Sequence, residues 1–289
     1  MNKSLYIGNI ELVFNLDDVF SFSKELQEYL LPVHTVAKTI TYQIQFETHP
    51  KPINIRPVAQ IDYPPQLIGI TESGECRIYQ NLFDGQLIAV YEETSINSAN
   101  LIFYDRGSQN FEITLNTLNY LAIERHLISA DALVLHSSFI VVENEAILFT
   151  APSGTGKSTQ AELWEKYRNA KIMNGDRSLL LPTQNGWKVA GFPFSGSSNI
   201  YHNGIFPIRA IVRIHQSPQN EGGYASRMQA FKTIYPEIVR NYWNADYDDT
   251  VCHQLENLLY EIPAIVYGCN MKEEAVNCLE EIINSSRRN

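Results

Sequence analysis

The sequence predicts an α/β (mixed α+β) chain in two parts: a β-rich domain over residues 1–130, and a second domain over residues 131–289 in which strands and helices alternate. Three observations predict it. Short strand-like runs separated by turn residues fill the first part. After residue 130, apolar strand runs are interleaved with segments of helical spacing. Between one such strand and one such helix lies a glycine-rich segment, Thr150-Ala151-Pro152-Ser153-Gly154-Thr155-Gly156-Lys157-Ser158-Thr159.

Along the first part, Tyr6–Phe14 opens the strand-rich stretch, and Thr39–Phe46 alternates polar with apolar residues as a half-exposed strand does. Further strands are expected at Gln66–Thr71, Glu75–Tyr79, Gln86–Tyr91 and Ala99–Tyr104, with turns at Glu72-Ser73-Gly74 and Asp84-Gly85. Such short strands suggest an antiparallel sheet or sandwich. Helices are expected over Asp17–Leu31 and Thr114–Leu127, the latter placing Leu115, Leu118, Leu121, Ala122 and Ile123 toward a core.

The second part opens with apolar runs at Leu133–Val142 and Ala146–Thr150, joined by a hairpin turn at Glu143-Asn144-Glu145. A helix follows at Ser158–Tyr167, then strands at Lys171–Met173, Ser178–Leu181, Trp187–Ala190 and Ala210–Ile214. Helices are expected at Ser226–Phe231, Glu237–Trp243 and Val251–Tyr260, a strand at Ala264–Tyr267, and a last helix at Lys272–Ser285. Asp246-Tyr247-Asp248-Asp249 reads as the loop and N-cap before Val251 rather than as a metal site.

The chain has 289 residues and a net charge of −10. That argues against general nucleic-acid binding, which needs a basic surface to neutralise phosphates, and against attachment to an anionic membrane by bulk charge. No window approaches the ~18 consecutive apolar residues of a membrane span. The first residues carry no apolar core of the signal-peptide kind. The four cysteines, Cys76, Cys252, Cys269 and Cys278, form no CxxC pair. A cytoplasmic protein with reduced thiols is expected. The acidity is uneven: eight basic and fifteen acidic residues up to residue 130 give −7, leaving −3 for the rest.

The glycine-rich segment nearly matches G-x-x-x-x-G-K-[ST], and each part of that pattern has a physical task. Gly154 and Gly156, with Ser153 and Thr155, let the backbone curl so that N–H groups can meet phosphate oxygens. Lys157 neutralises the β- and γ-phosphates. The Ser158 hydroxyl can ligate Mg²⁺. The helix carrying Ser158 and Thr159 adds the N–H groups and dipole of its N-terminus. The pattern's first glycine is replaced by Ala151. ATP and Mg²⁺ are the ligands this chemistry suits.

The surroundings resemble the HPr kinase/phosphorylase and phosphoenolpyruvate carboxykinase superfamily. Leu135-His136-Ser137-Ser138 and a hairpin precede the loop, and Met173-Asn174-Gly175-Asp176-Arg177 follows about twenty residues after Lys157. Gly191-Phe192-Pro193-Phe194-Ser195-Gly196, Ile205–Val212, Ile262–Tyr267 and Glu273–Val276 also fit. The resemblance covers residues 130–285 and implies an HPr kinase/PEP carboxykinase-like P-loop domain with a mixed sheet, which a homo-oligomer could build on. It implies site roles for His136, Lys157 and Ser158. It matches Asp176 to the second Asp of the family's acidic pair, whose first member is here Gly175. Asp176 can then be the base toward the acceptor, a metal ligand through water alongside Ser158, or one of these alone. His136 without the resemblance reads equally as a satisfied core histidine. The signature that follows the acidic strand in HPr kinases is not recognisable in Ser178–Lys188, so HPr is not the expected substrate.

These readings predict an ATP-dependent kinase that transfers a phosphoryl group to a hydroxyl of a peptide, protein or small-molecule acceptor. The alternative is a nucleotide-binding regulatory or scaffold protein with weak or no catalysis. Arg177 reads as a surface or structural residue, because neighbouring strand residues point to opposite faces. Ser195–Asn199 is a polar run that could line an acceptor pocket. Residues 1–130 carry no chemistry of this kind and suit recognition of a substrate or partner, or oligomerisation.

Overall fold

Alternation of buried and exposed side chains sets the strands. In the computed structural model, which describes residues 2–16, 20–62, 65–104, 111–194 and 196–285, the chain is mixed α+β and divides into two units, Met1–Ala130 and Asp131–Asn289. The strands of the first unit are β1 (Asn2–Ile7), β2 (Ile10–Asn15), β3 (Phe20–Phe22), β4 (Lys38–Phe46), β5 (Arg56–Asp62), β6 (Pro65–Ile70), β7 (Glu75–Gln80), β8 (Leu87–Ser95), β9 (Ser98–Phe103) and β10 (Phe111–Ile113). Its main sheet has the order β1-β2-β4-β9-β8-β7-β6-β5. The sheet is mixed, not antiparallel as the short strands suggested: β4 runs parallel to both β2 and β9. The reason lies in the connections. β5 to β8 form a meander of hairpins, but β2 reaches β4 through β3 and a 3-10 turn, long enough for the chain to return in the same direction.

Both helices expected here are corrected. Over 17–31 the described chain forms β3, paired in parallel with β10, and a 3-10 segment Lys24–Tyr29 that buries only Leu26 and Tyr29; residues 17–19 lie outside the described residues. Over 114–127 the helix splits into α1 (Leu115–Leu118) and α2 (Ile123–Leu127). Thr114 caps α1 through a reciprocal bond with Thr117, and Ala122 takes a left-handed conformation (φ 47°) that interrupts the helical ladder. The apolar residues Leu118, Leu121 and Ile123 are still buried, as their spacing implied.

In the second unit, β11 (Leu133–Val142) and β12 (Glu145–Thr150) form a hairpin in which Glu143 and Asn144 both have positive φ, 51° and 65°, the geometry that matches strand twist in a two-residue turn. Then come α3 (Lys157–Arg168), β13 (Lys171–Asn174), β14 (Arg177–Thr183), β15 (Gly186–Ala190), β16 (Ile205–Gln216), β17 (Glu221–Tyr224), α4 (Arg227–Ile234), α5 (Ala245–Glu261), β18 (Ala264–Cys269) and α6 (Glu273–Ser285). β12 lies between antiparallel β11 and parallel β16, and β16 is parallel to β18. The other ends of β11 and β16 pair with β14 and β15. This sheet too is mixed. Phe149, Ala161, Trp164, Val212, Ile265, Val276 and Leu279 form one buried cluster, which seats α3 and α6 on the β12–β16–β18 face.

Two expectations in this unit are corrected. No helix forms over Glu237–Trp243. Pro236 lies in a 3-10 turn, Tyr235–Glu237, after which the chain runs extended. Ile238 bridges to Leu135 and the Val239 N–H donates to the Val134 carbonyl at 2.8 Å, so the free edge of β11 supplies the hydrogen bonds a helix would have supplied. α5 starts six residues earlier than Val251. Asn244 caps it by accepting from the Tyr247 N–H, and Asp246 and Asp248 sit in its first turn, where the helix dipole favours anions. No helix among the described residues is long and apolar enough to cross a membrane.

Trp164 is 1% exposed and its ring lies 6.5 Å from that of Phe149, so α3 is pinned to β12 by this pair. Trp164→Ala is expected to cost about 3–5 kcal/mol in urea unfolding. A loss below ~1 kcal/mol would show that α3 is held by other contacts.

Candidate active site

The loop between β12 and α3 has the conformation its glycines allow. Gly154 and Gly156 have φ of 77° and 115°, values that side chains on Cβ disfavour. Ala151, at the motif's first position, has no positive φ and is fully buried within the core cluster. The departure from glycine there is a packing choice and leaves the curl of the loop untouched. The Thr155 hydroxyl donates to the Pro152 carbonyl at 2.8 Å, and the Gln216 amide reaches the Thr155 carbonyl at 3.4 Å. Gly156 is the N-cap of α3 and provides no side-chain acceptor, so the helix's first N–H groups are left for a ligand.

Lys157 is 7% exposed, and its ammonium donates back to the Ala151 carbonyl at 2.8 Å and the Pro152 carbonyl at 3.4 Å. Burial lowers its pKa from the ordinary lysine value; Glu237 and Asp176 pull it back up, while Arg213 pushes it the same way as burial. The lysine therefore sits where an added anion would restore what burial takes away.

Asp176 reaches the loop through an interruption of a strand. β13 and β14 both run antiparallel to β11, β13 against Phe139–Val141 and β14 against Leu133–His136. Gly175 and Asp176 lie between them, outside the ladder. Asn174 fixes this break. It is fully buried; its amide donates to the Phe192 and Phe194 carbonyls (2.7 and 2.9 Å), and its oxygen accepts from the Asp176 and Arg177 N–H groups (2.8 and 2.9 Å). The Ser137 N–H donates to the Asp176 carbonyl at 2.9 Å, which sets His136 of β11 beside Asp176. His136 Nε2 is 3.5 Å from Asp176 Oδ1.

His136 holds the Asp176 carboxylate below its ordinary pKa through this contact; burial opposes it, and Arg177 and Lys157 reinforce it. Arg177 is a partly exposed, structural residue, as expected, but it is not turned away from Asp176 as strand alternation predicted. Asp176 lies outside the strand, so Arg177 Nε comes within 3.5 Å of Asp176 Oδ2, and its guanidinium stacks over the Phe194 ring at 5.3 Å.

Ser153, Gly154, Gly156, Lys157, Ser158, Thr159, His136, Gly175, Asp176 and Ser198 line one cavity of about 290 Å³. Thr155 instead lines an adjoining cavity of about 430 Å³, which shares Gly154, Gly156 and Thr159 with the first and extends to Gln160, Gln216, Asn270 and Met271. Of the polar run after Phe194, Ser198 lines the first cavity, whereas Ser195 and the Ser197 side chain lie outside the described residues. A Cβ on Gly175 would come 2.2 Å from Ser198 Oγ, so Ser198 occupies the space a side chain at 175 would need.

Two members of the cluster, Glu237 and Arg213, escaped the sequence reading. Glu237 is 8% exposed; its Oε2 lies 3.3 Å from His136 Nδ1 and its Oε1 3.4 Å from Arg213 Nη1. Arg213 on β16 is the register partner of Thr150, the last residue before the loop. Nothing in the local sequence marks either residue, because both reach the site through long-range pairing.

No family model matches the chain and no curated protein matches it. Among solved structures that do match, the Hpr(Ser) kinase/phosphatase from Coxiella burnetii aligns with a TM-score of 0.32 and 10% identity, over 53% of this chain and 90% of that one. A likeness at that level is too low for fold or chemistry to be read from it.

Two outcomes test this geometry. Gly175→Ala is expected to destabilise the protein by about 1–3 kcal/mol, and Ser198→Gly is expected to recover most of that in the double variant; simply additive losses would mean the contact is not the cause. In a titration followed by carboxyl ¹³C shifts, Asp176 is expected to ionise below its ordinary 3.8, and His136→Ala should raise that midpoint. Because the fold favours the charged form, its stabilising share is full above the free-carboxylate range and is lost as pH falls through the depressed midpoint. A midpoint unmoved by His136→Ala would contradict the pairing.

Proposed function

We propose that this protein is an ATP-dependent phosphotransferase acting on a hydroxyl of a peptide, protein or small-molecule acceptor. One observation carries the reading: a glycine loop, a buried lysine and a helix N-terminus share a single cavity with an ionised carboxylate and a histidine. Transfer of a phosphoryl group needs charge neutralisation and in-line placement more than covalent help. Loop and helix N–H groups with Lys157 suit the phosphates. The adjoining cavity, lined by Gln160, Gln216 and Asn270, suits the nucleoside.

The donor set also fits Mg²⁺. Asp176 is the one carboxylate among the residues lining this cavity, beside hydroxyls such as that of Ser158, and no group of three or more His, Cys, Asp or Glu side chains able to hold a metal occurs among the described residues. A cation that keeps most of its shell as water and phosphate oxygens matches so sparse a set. When bound, Mg²⁺ would neutralise phosphate charge. The chain's own residues do the rest. Asp176, kept ionised by His136, accepts the proton of the acceptor hydroxyl as its oxygen attacks the γ-phosphorus and the bond to the β,γ-bridging oxygen breaks. Lys157 neutralises the charge that accumulates on the transferring group and on the departing diphosphate.

A second reading, a nucleotide-binding regulator with weak or no turnover, is favoured by Gly175. The space at that position is filled by Ser198, so Gly175→Asp cannot restore a second neighbouring carboxylate without displacing it. Tight ATP binding with no transfer to any acceptor would select this reading.

With labelled ATP, Mg²⁺ and cell extract as the source of acceptors, the wild-type chain is expected to yield a labelled product. Lys157→Ala is expected to reduce that label by at least about 100-fold. Label persisting in the variant would reject the assignment.

A further inference from the structure

We propose that Glu237 is the second carboxylate of this site, a positioning residue that holds His136 and Arg213 beside the loop lysine. The proposal deepens the phosphotransfer reading and rests on it for its catalytic consequence.

The two oxygens of Glu237 are divided between two bases on different strands. Oε2 faces His136 Nδ1 on β11 at 3.3 Å, and Oε1 faces Arg213 Nη1 on β16 at 3.4 Å. The side chain is 8% exposed, against 29% for His136 and 27% for Asp176. Glu237 therefore lies behind the histidine, while His136 and Asp176 face the cavity. A carboxylate this deep is tolerated only where cations or N–H groups meet it, and its partners here are those two bases.

The consequence for His136 is geometric. An imidazole pivots about its bond to Cβ, and fixing Nδ1 against Glu237 aims Nε2 at Asp176 Oδ1, 3.5 Å away. His136 is thus held from both ends, as a carboxylate behind a histidine orients the ring in other sites. Arg213 is fixed in the same way. Its Nη1 is buried and makes no hydrogen bond among the described residues, and the Glu237 carboxylate 3.4 Å away supplies the opposite charge there.

A side chain at position 175 would collide with that of Ser198. The second carboxylate enters instead from the 3-10 turn Tyr235–Glu237, held by the bridge of Ile238 to Leu135, one residue from His136. This supports the histidine from behind, where a residue beside Asp176 would have stood next to the acceptor. It also makes the segment that fails to become a helix a structural part of the site.

The test uses the full chain and diethyl pyrocarbonate, with modification of each of the seven histidines read by peptide mass spectrometry. Glu237→Gln keeps size and one acceptor oxygen but removes the charge. It is expected to raise the modification rate of His136 at least about threefold relative to the other six histidines, as release of one charge-assisted bond would. Glu237→Asp should fall between it and wild type. In the transfer assay, Glu237→Gln is expected to lower kcat roughly 10- to 100-fold, with KM for ATP within about threefold, the range seen when a supporting partner is lost. Unchanged His136 labelling overturns the proposal, and so does a wild-type kcat. A rise shared by all seven histidines would assign Glu237 to the fold at large and also overturns it. Labelling needs no nucleotide. A chain that exposes His136 selectively but transfers no phosphate in any form would keep the positioning role and remove the kinase reading.

Discussion

The candidate site depends on one buried amide. Asn174 uses both of its N–H donors on the carbonyls of Phe192 and Phe194, and its oxygen accepts from two successive N–H groups, of Asp176 and Arg177. An Asn side chain has no further strong bonding capacity. Each such bond contributes only about 0.5–1.5 kcal/mol net, but each buried group left unmet would cost more. The amide therefore specifies the conformation more than it adds stability. It stops β13, lets Gly175 and Asp176 leave the ladder, and starts β14 two residues later on the same neighbour. Interruptions of this kind re-aim a side chain next to functional sites. Without this one, Asp176 would be a strand residue on a fixed face, away from His136 or away from Arg177, but not beside both.

Much of the fold was legible because its signals are local. The alternation in Thr39–Phe46 and the apolar runs around Glu143-Asn144 declare strands, and observed strands lie there. Parallel pairing of β4 with β2 and β9 is set by where the chain returns, which no window of residues records. Two of the misread helices fail for different reasons. Thr114–Leu127 has helical apolar spacing, yet Ala122 turns left-handed. Glu237–Trp243 looks helical in composition, yet Ile238 and Val239 meet a strand edge with unpaired backbone groups. Tertiary hydrogen bonding overrode a weak local preference in the latter case.

The candidate site divides along the same line. Ser153 to Thr159 are contiguous, so their chemistry could be read as one motif. His136 and Asp176 were linked to it only through a family resemblance, and here they lie 3.5 Å apart. Glu237 and Arg213 were invisible. They stand 101 and 77 positions from His136 in sequence and meet it through the bridge to Leu135 and the β12–β16 ladder. The misreading of Glu237–Trp243 and the omission of Glu237 are therefore a single error, since the extended chain after Glu237 is what brings its carboxylate to β11.

The charges around the loop explain how an acidic chain can offer an anion site. Three cationic side chains, of Lys157, Arg177 and Arg213, face two carboxylates, of Asp176 and Glu237. Each carboxylate has closer partners of its own: Asp176 with His136 and Arg177, and Glu237 with His136 and Arg213. The Lys157 ammonium is left with two loop carbonyls, which are weaker partners than an anion. Burial is the strongest influence on the lysine's pKa, and an incoming phosphate is a group able to reverse its effect. The potential that matters is thus set within a few ångströms by burial and pairing. The net charge of −10 is a sum over the whole chain, most of it carried by residues up to 130, and does not describe that local balance.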